Sequence, residues 1–193
     1  MLTAMTTPFQ RGFTMIEALV AMAVLSIGLL GLAKLQVSSR QLEMESYQRA
    51  QAMLLLQDMV SRLTINSDSA ICYAITSPAN GAPYLGKGGG IPPACSTGFN
   101  SAQDSLAFSD LSDWNTALLG SSETNITSVG AMIDARGCIE PLGGNQYRVT
   151  VVWQGLIKTA APQGLNCAQG LYGYETQRRA VSTVVTWMDP TIL

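Results

Sequence analysis

The sequence contains no histidine, and few of its residues carry a charge. Without histidine, zinc sites built on imidazole ligands, Ser-His-Asp triads and Cys-His dyads are all excluded. Charged residues make up 12% of the 193 residues, hydrophobic residues make up 47%, and the formal net charge is −2. A chain this apolar is not expected to be disordered, and without a basic stretch it has no electrostatic basis for binding nucleic acid. These absences remove much of the usual enzyme repertoire, and we expect no catalytic site, no metal and no cofactor.

The cysteines form no Cys-x-x-Cys pair, and all four lie in the C-terminal two-thirds of the chain, at Cys72, Cys95, Cys138 and Cys167. An even number at wide spacing indicates disulfides rather than metal binding or redox catalysis. Disulfides persist in oxidising compartments such as the periplasm. Three pairings are possible, and we favour Cys72–Cys95 with Cys138–Cys167 because these close the shortest loops. Loop-closure entropy gives each about 3–4 kcal/mol of stabilisation.

A long apolar run begins at Phe13, extends to Ala33 and contains one charged residue, Glu17. As a helix this run is about 31 Å long, which matches the hydrocarbon thickness of a bilayer. No proline or glycine occurs in residues 32–66, so the helix is predicted to continue to about Leu63. It would then be about 75 Å long, which a soluble domain cannot bury.

A cleaved secretory signal is the competing interpretation of this run. It would place its charged region directly before the apolar residues and change character after them. Here a carboxylate, Glu17, stands at the start of the apolar run, and good helix formers follow it. The order of residues therefore favours a membrane helix that continues into the rest of the protein.

Glu17 is the residue that a simple membrane anchor does not explain. A carboxylate in an apolar helix costs about 2.5–3.5 kcal/mol at the bilayer centre and less near its edge, so such a group is a candidate functional residue. The nearest downstream cation is Lys34, and Arg11 lies six residues upstream. An N-terminal amine created by cleavage before Phe13, on the same or a neighbouring subunit, would be a suitable partner.

The residues RGFTMIEALVAMAVLSIGLLGLAKLQ, positions 11–36, resemble the class III signal of type IV prepilins. The resemblance implies that a prepilin peptidase cuts between Gly12 and Phe13 and methylates the new amine of Phe13. It also implies that Glu17, the fifth residue after the cut, pairs with a subunit's N-terminal amine during filament assembly. The run from Leu19 onward is most similar to the PilV-like minor pilins.

The same resemblance implies an α+β pilin roll, in which a long N-terminal helix packs on a C-terminal antiparallel sheet within a disulfide-bonded head. We expect a leader at 1–12, a membrane-spanning and filament-core half of the helix at 13–34, an amphipathic half at 35–65 and a periplasmic head at 66–193. The protein would first cross the bacterial inner membrane once and would then enter the pilus. Orientation rests on the resemblance, which places the leader in the cytoplasm.

The head itself divides into a loop-like part and a β-rich part. Residues 66–136 hold clustered glycine and proline, and 103–119 are predicted to form a solvated, partly helical connection that carries Asp104, Asp110 and Asp113. Beyond them, we predict a short strand at 137–140 and a loop at 155–174 whose Cys167 is tied to Cys138. Two longer strands are predicted from alternating sets of side chains. The sets are Tyr147, Val149, Val151 and Trp153, and Arg179, Val181, Thr183, Val185 and Trp187.

Three functions are consistent with these features to different degrees. The favoured one is a minor pilin that belongs to a tip or priming complex, meets other minor pilins, the major pilin and a pilus-tip adhesin, and serves twitching motility and adhesion. The second is a pseudopilin of a type II secretion system, which shares the N-terminal signal. The third, a membrane-anchored enzyme or ligand-binding protein, lacks any nucleophile–base pair or metal cluster to support it.

Overall fold

The structure is a computed structural model that describes residues 12–97, 100–120, 124–125, 127–128 and 132–186. The chain divides into two units, Met1–Glu43 and Met44–Leu193. The first helix, α1, runs from Met15 to Ile65 and so contributes to both. Its length follows from a run of good helix formers without an internal proline. In the second unit, α1 is the first element of an α+β, pilin-like architecture.

Within the second unit, one face of α1 is buried. The buried side chains follow one another at spacings of three or four residues, which places them on one side of the helix. They are Gln48, Ala52, Leu56, Met59 and Leu63. Met53 and Leu54, which lie beside this stripe, are about half exposed. Ala52 is fully buried in the middle of the stripe, where its small side chain lets the helix approach the core closely.

The sheet of the second unit contains four antiparallel strands in the order β1-β4-β5-β6. The strands are β1 (Leu85–Gly86), β4 (Arg136–Gly143), β5 (Gln146–Gln154) and β6 (Arg178–Thr186). Two short strands, β2 (Thr124–Asn125) and β3 (Thr127–Ser128), form a separate antiparallel pair.

Alternation along β5 separates the two faces of the sheet, as period two requires. Val149, Val151 and Trp153 join the main core with the buried face of α1, whereas Val152 belongs to a second cluster with Cys138. The two alternating sets predicted from the sequence are opposite one another on β5 and β6, with Val151 paired to Val181. Trp187, the last member of the second set, lies outside the described residues.

The region predicted to be loop-like contains more regular structure than its composition indicated. A 3₁₀ turn at Ser67–Ser69 leads into α2 (Ala70–Tyr73), and α3 (Ser101–Leu118) follows the strand β1. The expectation that 103–119 form a solvated connection was wrong, because this helix buries one complete face. The buried residues are Asp104, Ala107, Asp110, Leu111, Trp114 and Leu118.

At the start of α3, a polar side chain accepts hydrogen bonds from backbone N–H groups that have no carbonyl partner within the helix. The Asn100 side chain accepts hydrogen bonds from the backbone N–H groups of Ala102 and Gln103, which is the usual role of asparagine at an N-cap. Further along, Trp114 donates its indole N–H to the carbonyl of Leu55 at 2.9 Å. This contact joins α3 to α1 beside the core that both helices cover.

Two disulfides hold the irregular segments. Cys72 of α2 is bonded to Cys95, which precedes α3, and Cys138 of β4 is bonded to Cys167 in the loop between β5 and β6. The bonded residues are separated by 23 and 29 positions, and loops of this size give about 3–4 kcal/mol each in the chain-entropy description. These are the same pairs that loop length favours.

A partly buried ion-pair network fixes the end of α1 against α3. Arg62 donates to Asp110 at 2.8 Å and to Asp58 one turn earlier, and the Tyr73 hydroxyl donates to the other oxygen of Asp110 at 2.5 Å. Burial, together with this contact to a carboxylate, raises the pKa of Tyr73. Asp110 therefore accepts hydrogen bonds from side chains of α1 and α2 inside the protein. The prediction that it is solvated was wrong.

Asp104, which was also expected to be solvated, organises the segment between the first disulfide and α3. Its carboxylate accepts the backbone N–H of Thr97 at 2.8 Å, the Thr97 hydroxyl at 2.9 Å and the Ser69 hydroxyl at 2.9 Å. The hydrogen bond from the Thr97 backbone is the main reason that the pKa of Asp104 lies below its ordinary value.

This depressed pKa predicts a pH dependence of stability. Because the folded-state pKa of Asp104 is below the unfolded one, its contribution is complete above the unfolded value and is lost as pH falls through the folded value. The stability advantage of wild type over Asp104→Asn should therefore be constant above about pH 5 and should shrink as the pH falls below the ordinary aspartate pKa of about 3.9. Thermal unfolding of the full chain in detergent measures it, with the exposed Asp113→Asn as control. An advantage that stays constant over this range would contradict the assignment.

A second prediction concerns Gly137, on which the indole of Trp114 rests. A Cβ at this position would lie 2.3 Å from the Cη2 atom of Trp114 and 2.8 Å from a methyl carbon of Leu118. Gly137→Ala should therefore lower the free energy of unfolding by about 1–3 kcal/mol, as overpacking of a core does. Denaturant titration measures this loss. Gly90→Ala, where the added Cβ meets nothing within 4 Å, should change stability by less than about 0.5 kcal/mol.

Candidate processing and assembly site

The described part of the first unit starts with a short exposed segment in front of the helix. Residues 12–14 are outside regular secondary structure, and all three are exposed. Among the described residues other than its chain neighbours, none has an atom within 4 Å of the position that a Cβ on Gly12 would take, and the Phe13 side chain is 80% exposed. Exposed backbone outside helices and strands is where proteases act most readily. The bond between Gly12 and Phe13 is therefore accessible to a peptidase.

Thr14 caps the N-terminus of α1, and Glu17 occupies the third position of the first turn. The backbone N–H of Glu17 lies 3.1 Å from the Thr14 carbonyl and 3.4 Å from the Thr14 hydroxyl. Thr-x-x-Glu is the sequence of a capping box, and an acidic side chain in the first turn is favoured by the helix dipole. Sequence reasoning missed this second role of Glu17, although Thr14-Met15-Ile16-Glu17 carried the signal.

The N-terminal part of α1 presents apolar side chains on every side. Its large apolar residues from Phe13 to Leu35 are between 58% and 88% exposed, and its most apolar window has a mean hydropathy of 2.2. By length and composition the helix can cross a membrane. The Ser26 hydroxyl donates to the Met22 carbonyl at 2.8 Å, so this polar group has a partner within its own helix.

The predicted site residues therefore fall into two groups. Gly12, Phe13 and Glu17 lie together at the start of α1, and the four cysteines lie in the second unit as two disulfides. Residues 1–11 of the predicted leader, including Arg11, lie outside the described residues.

Comparison with known protein families identifies the segment that contains this start. The prokaryotic N-terminal methylation motif matches residues 8–33. The chain carries the N-terminal motif of type IV pilin-like proteins. The motif match covers the N-terminal signal and the apolar part of α1. No curated protein and no solved structure matches the pilin-like chain.

The motif includes both the exposed segment and the apolar part of α1 in this pilin-like chain. It implies processing by a prepilin peptidase and assembly with other pilins. A long apolar helix suits both stages, because lipid surrounds it before assembly and the helices of other subunits can surround it afterwards. The two disulfides and the antiparallel sheet of the second unit complete an α+β architecture of the pilin type.

Proposed function

We propose that this protein is a minor pilin: a structural and assembly subunit of a type IV pilus that acts in a tip or priming complex and has no enzymatic role. The observation that carries the proposal is the methylation motif at residues 8–33. Within these residues the exposed Gly12–Phe13 bond precedes an apolar helix that has the acidic Glu17 in its first turn. A soluble fold does not explain an exposed apolar helix with a single acidic residue near its start.

Processing is the first step of the proposed function. A prepilin peptidase cuts between Gly12 and Phe13 and methylates the new amine of Phe13. Glycine suits the position before the cut because it lacks a side chain that would obstruct the approach of the enzyme to the backbone. The open surroundings of Gly12 and the exposure of Phe13 support this assignment.

Assembly is the second step, and in it Glu17 supplies the charge that selects and orients the incoming subunit. At a separation of about 4 Å, a carboxylate and an ammonium group attract each other by about 4 kcal/mol at an effective dielectric constant of 20. Inside a bundle of apolar helices both charges lose contact with water, so an unpaired carboxylate is strongly disfavoured. Pairing Glu17 with the amine of Phe13 on a neighbouring subunit satisfies both groups.

The role at the pilus tip is supported by the resemblance of the apolar run to PilV-like minor pilins and by the head. In this proposal the head lies in the periplasm, where its disulfides form. There it contacts other minor pilins, the major pilin and a tip adhesin, and it then becomes part of the pilus. Pseudopilins of type II secretion systems share the N-terminal signal, so the signal alone does not separate the two filaments.

A deletion strain separates them. Removal of the gene should abolish twitching motility and surface pili while leaving exoprotein secretion intact, and complementation should restore the pili. N-terminal sequencing of the protein in sheared filaments should begin at a methylated Phe13. Loss of secretion with normal twitching would instead assign the chain to a type II secretion filament.

A further inference from the structure

A cavity of about 340 Å³ opens in the second unit beside the first turns of its helix segment. It is lined by Glu45, Ser46, Arg49, Trp153, Arg179 and Ala180. These residues come from α1 and from the strands β5 and β6. The volume lies at the lower end of the range for ligand pockets and suits one side chain of a partner better than a large ligand.

Two of the charges in the cavity wall are already paired. Glu45 accepts the backbone N–H groups of Leu156 and Ile157 at 3.0 and 3.1 Å and an Arg179 guanidinium N–H at 3.1 Å. Arg179 also donates to the carbonyls of Ile157 and Thr176. These hydrogen bonds fix the helix to the turn after β5. The charges of Glu45 and Arg179 neutralise each other.

Two other groups in the wall lack partners. Arg49 is exposed and makes no hydrogen bond or ion pair with the part of the chain that the structure describes. Trp153 is only 3% exposed, and its indole N–H finds no acceptor among those residues either. A buried donor without an acceptor is rare and unfavourable. With the Glu45 and Arg179 charges compensating each other, the wall keeps one positive charge, that of Arg49, and no free anion.

We propose that this cavity binds a carboxylate side chain of a neighbouring filament subunit, with Arg49 as its charged partner and Trp153 as the wall against which it packs. A guanidinium holds a carboxylate through two parallel hydrogen bonds, which gives direction as well as strength. The indole supplies an apolar surface for the ligand's methylene groups. The proposal rests on the proposed function, since that function supplies the neighbouring subunit.

The first experiment tests the cavity without any filament. The full chain in detergent, with ¹⁵N-labelled tryptophan, is titrated with an acetylated and amidated Ala-Glu-Ala peptide, and its glutamine analogue serves as the control ligand. Trp153→Phe assigns the indole signal. The Trp153 signal should shift with the glutamate peptide and not with the glutamine peptide. Arg49→Glu should weaken this binding about tenfold or more, as expected for loss of a hydrogen bond to a charged group.

Lys87→Glu is the matched control, because it makes the same charge reversal at an exposed site outside the cavity. It should leave the binding within about twofold of wild type. Arg49→Gln provides a second variant if the charge reversal prevents folding. A shift with inorganic phosphate but not with the glutamate peptide would overturn the proposal in favour of a lipid or phosphate site. No shift with either ligand would also overturn it.

The second experiment measures recovery of each variant in sheared pili relative to the membrane. Arg49→Glu should be recovered about tenfold less than wild type, and Lys87→Glu should match wild type. Carboxylate binding in detergent together with equal recovery of Arg49→Glu would overturn the neighbouring subunit as the occupant. If wild type itself is absent from pili, the proposed function fails, while the titration still decides whether the cavity binds a carboxylate.

Discussion

Gly12→Val should leave the protein in the inner membrane as the uncut chain of 193 residues. In the structure the backbone around Gly12 is exposed and unobstructed, so a peptidase can approach it directly. A β-branched side chain beside the bond to be cut displaces that backbone from the catalytic groups. A misplacement of about 1 Å costs about 100-fold in rate. The cleaved form of the protein should therefore be undetectable in growing cells.

Intact-mass measurement of membrane extracts provides the test, because cleavage removes the first twelve residues. Gly28→Val is the matched control, since it makes the same substitution in α1 beyond the cut, where an added Cβ also meets nothing within 4 Å. This control should be processed as efficiently as wild type. Normal cleavage of Gly12→Val by a prepilin peptidase would refute the cleavage assignment, whatever the later fate of the protein.

The parts of the fold that were predicted from the sequence are those with a local and repeated signal. A proline-free run of good helix formers, apolar in its first half, specifies α1, and alternation of β-branched and aromatic residues specifies β5 and β6. The class III signal depends on a few adjacent residues around Gly12 and Glu17, so it too was readable without tertiary contacts.

The parts that were missed depend on partners distant in sequence. Helix α3 carries Asp104 and Asp110 on its buried face, and a carboxylate at such a position reads as a solvent-facing residue. Thr97, together with Ser69 from a preceding segment, makes Asp104 compatible with burial. Asp110 depends in the same way on Arg62 of α1. Propensity and period contain no information about these contacts, so tertiary structure overrides them here.

The candidate site divides along the same line. The assignments of Gly12, Phe13 and Glu17 come from the sequence and stay predictions, whereas the cap that Thr14 forms with the backbone N–H of Glu17 emerges from the structure. The cavity beside Arg49 was not predictable, because it is formed by α1, β5 and β6 together. Arg49 and Trp153 are about one hundred residues apart, and neither belongs to a motif.

Glu17→Ala should be processed normally but should be almost absent from filaments. Cleavage depends on the segment before the helix, which this substitution leaves unchanged. Assembly loses the attraction between Glu17 and a neighbouring amine, and that amine is then left without a partner in an apolar environment. Breaking a buried ion pair in this way costs about 3–5 kcal/mol, which corresponds to a loss of about 100-fold or more in incorporation. The ratio of sheared-pilus protein to membrane protein, measured by immunoblot, reports it.

The capping role of Glu17 offers a competing explanation, because removal of a capping-box glutamate also weakens the first turn of α1. Glu17→Gln distinguishes the two, since glutamine retains the capping function but carries no charge. If pairing with an amine is what matters, Glu17→Gln should be as poorly incorporated as Glu17→Ala, and Thr14→Val should be incorporated nearly as well as wild type. Recovery of Glu17→Gln at wild-type levels would show that Glu17 serves the helix start alone. Subunit selection would then have to depend on contacts other than this charge.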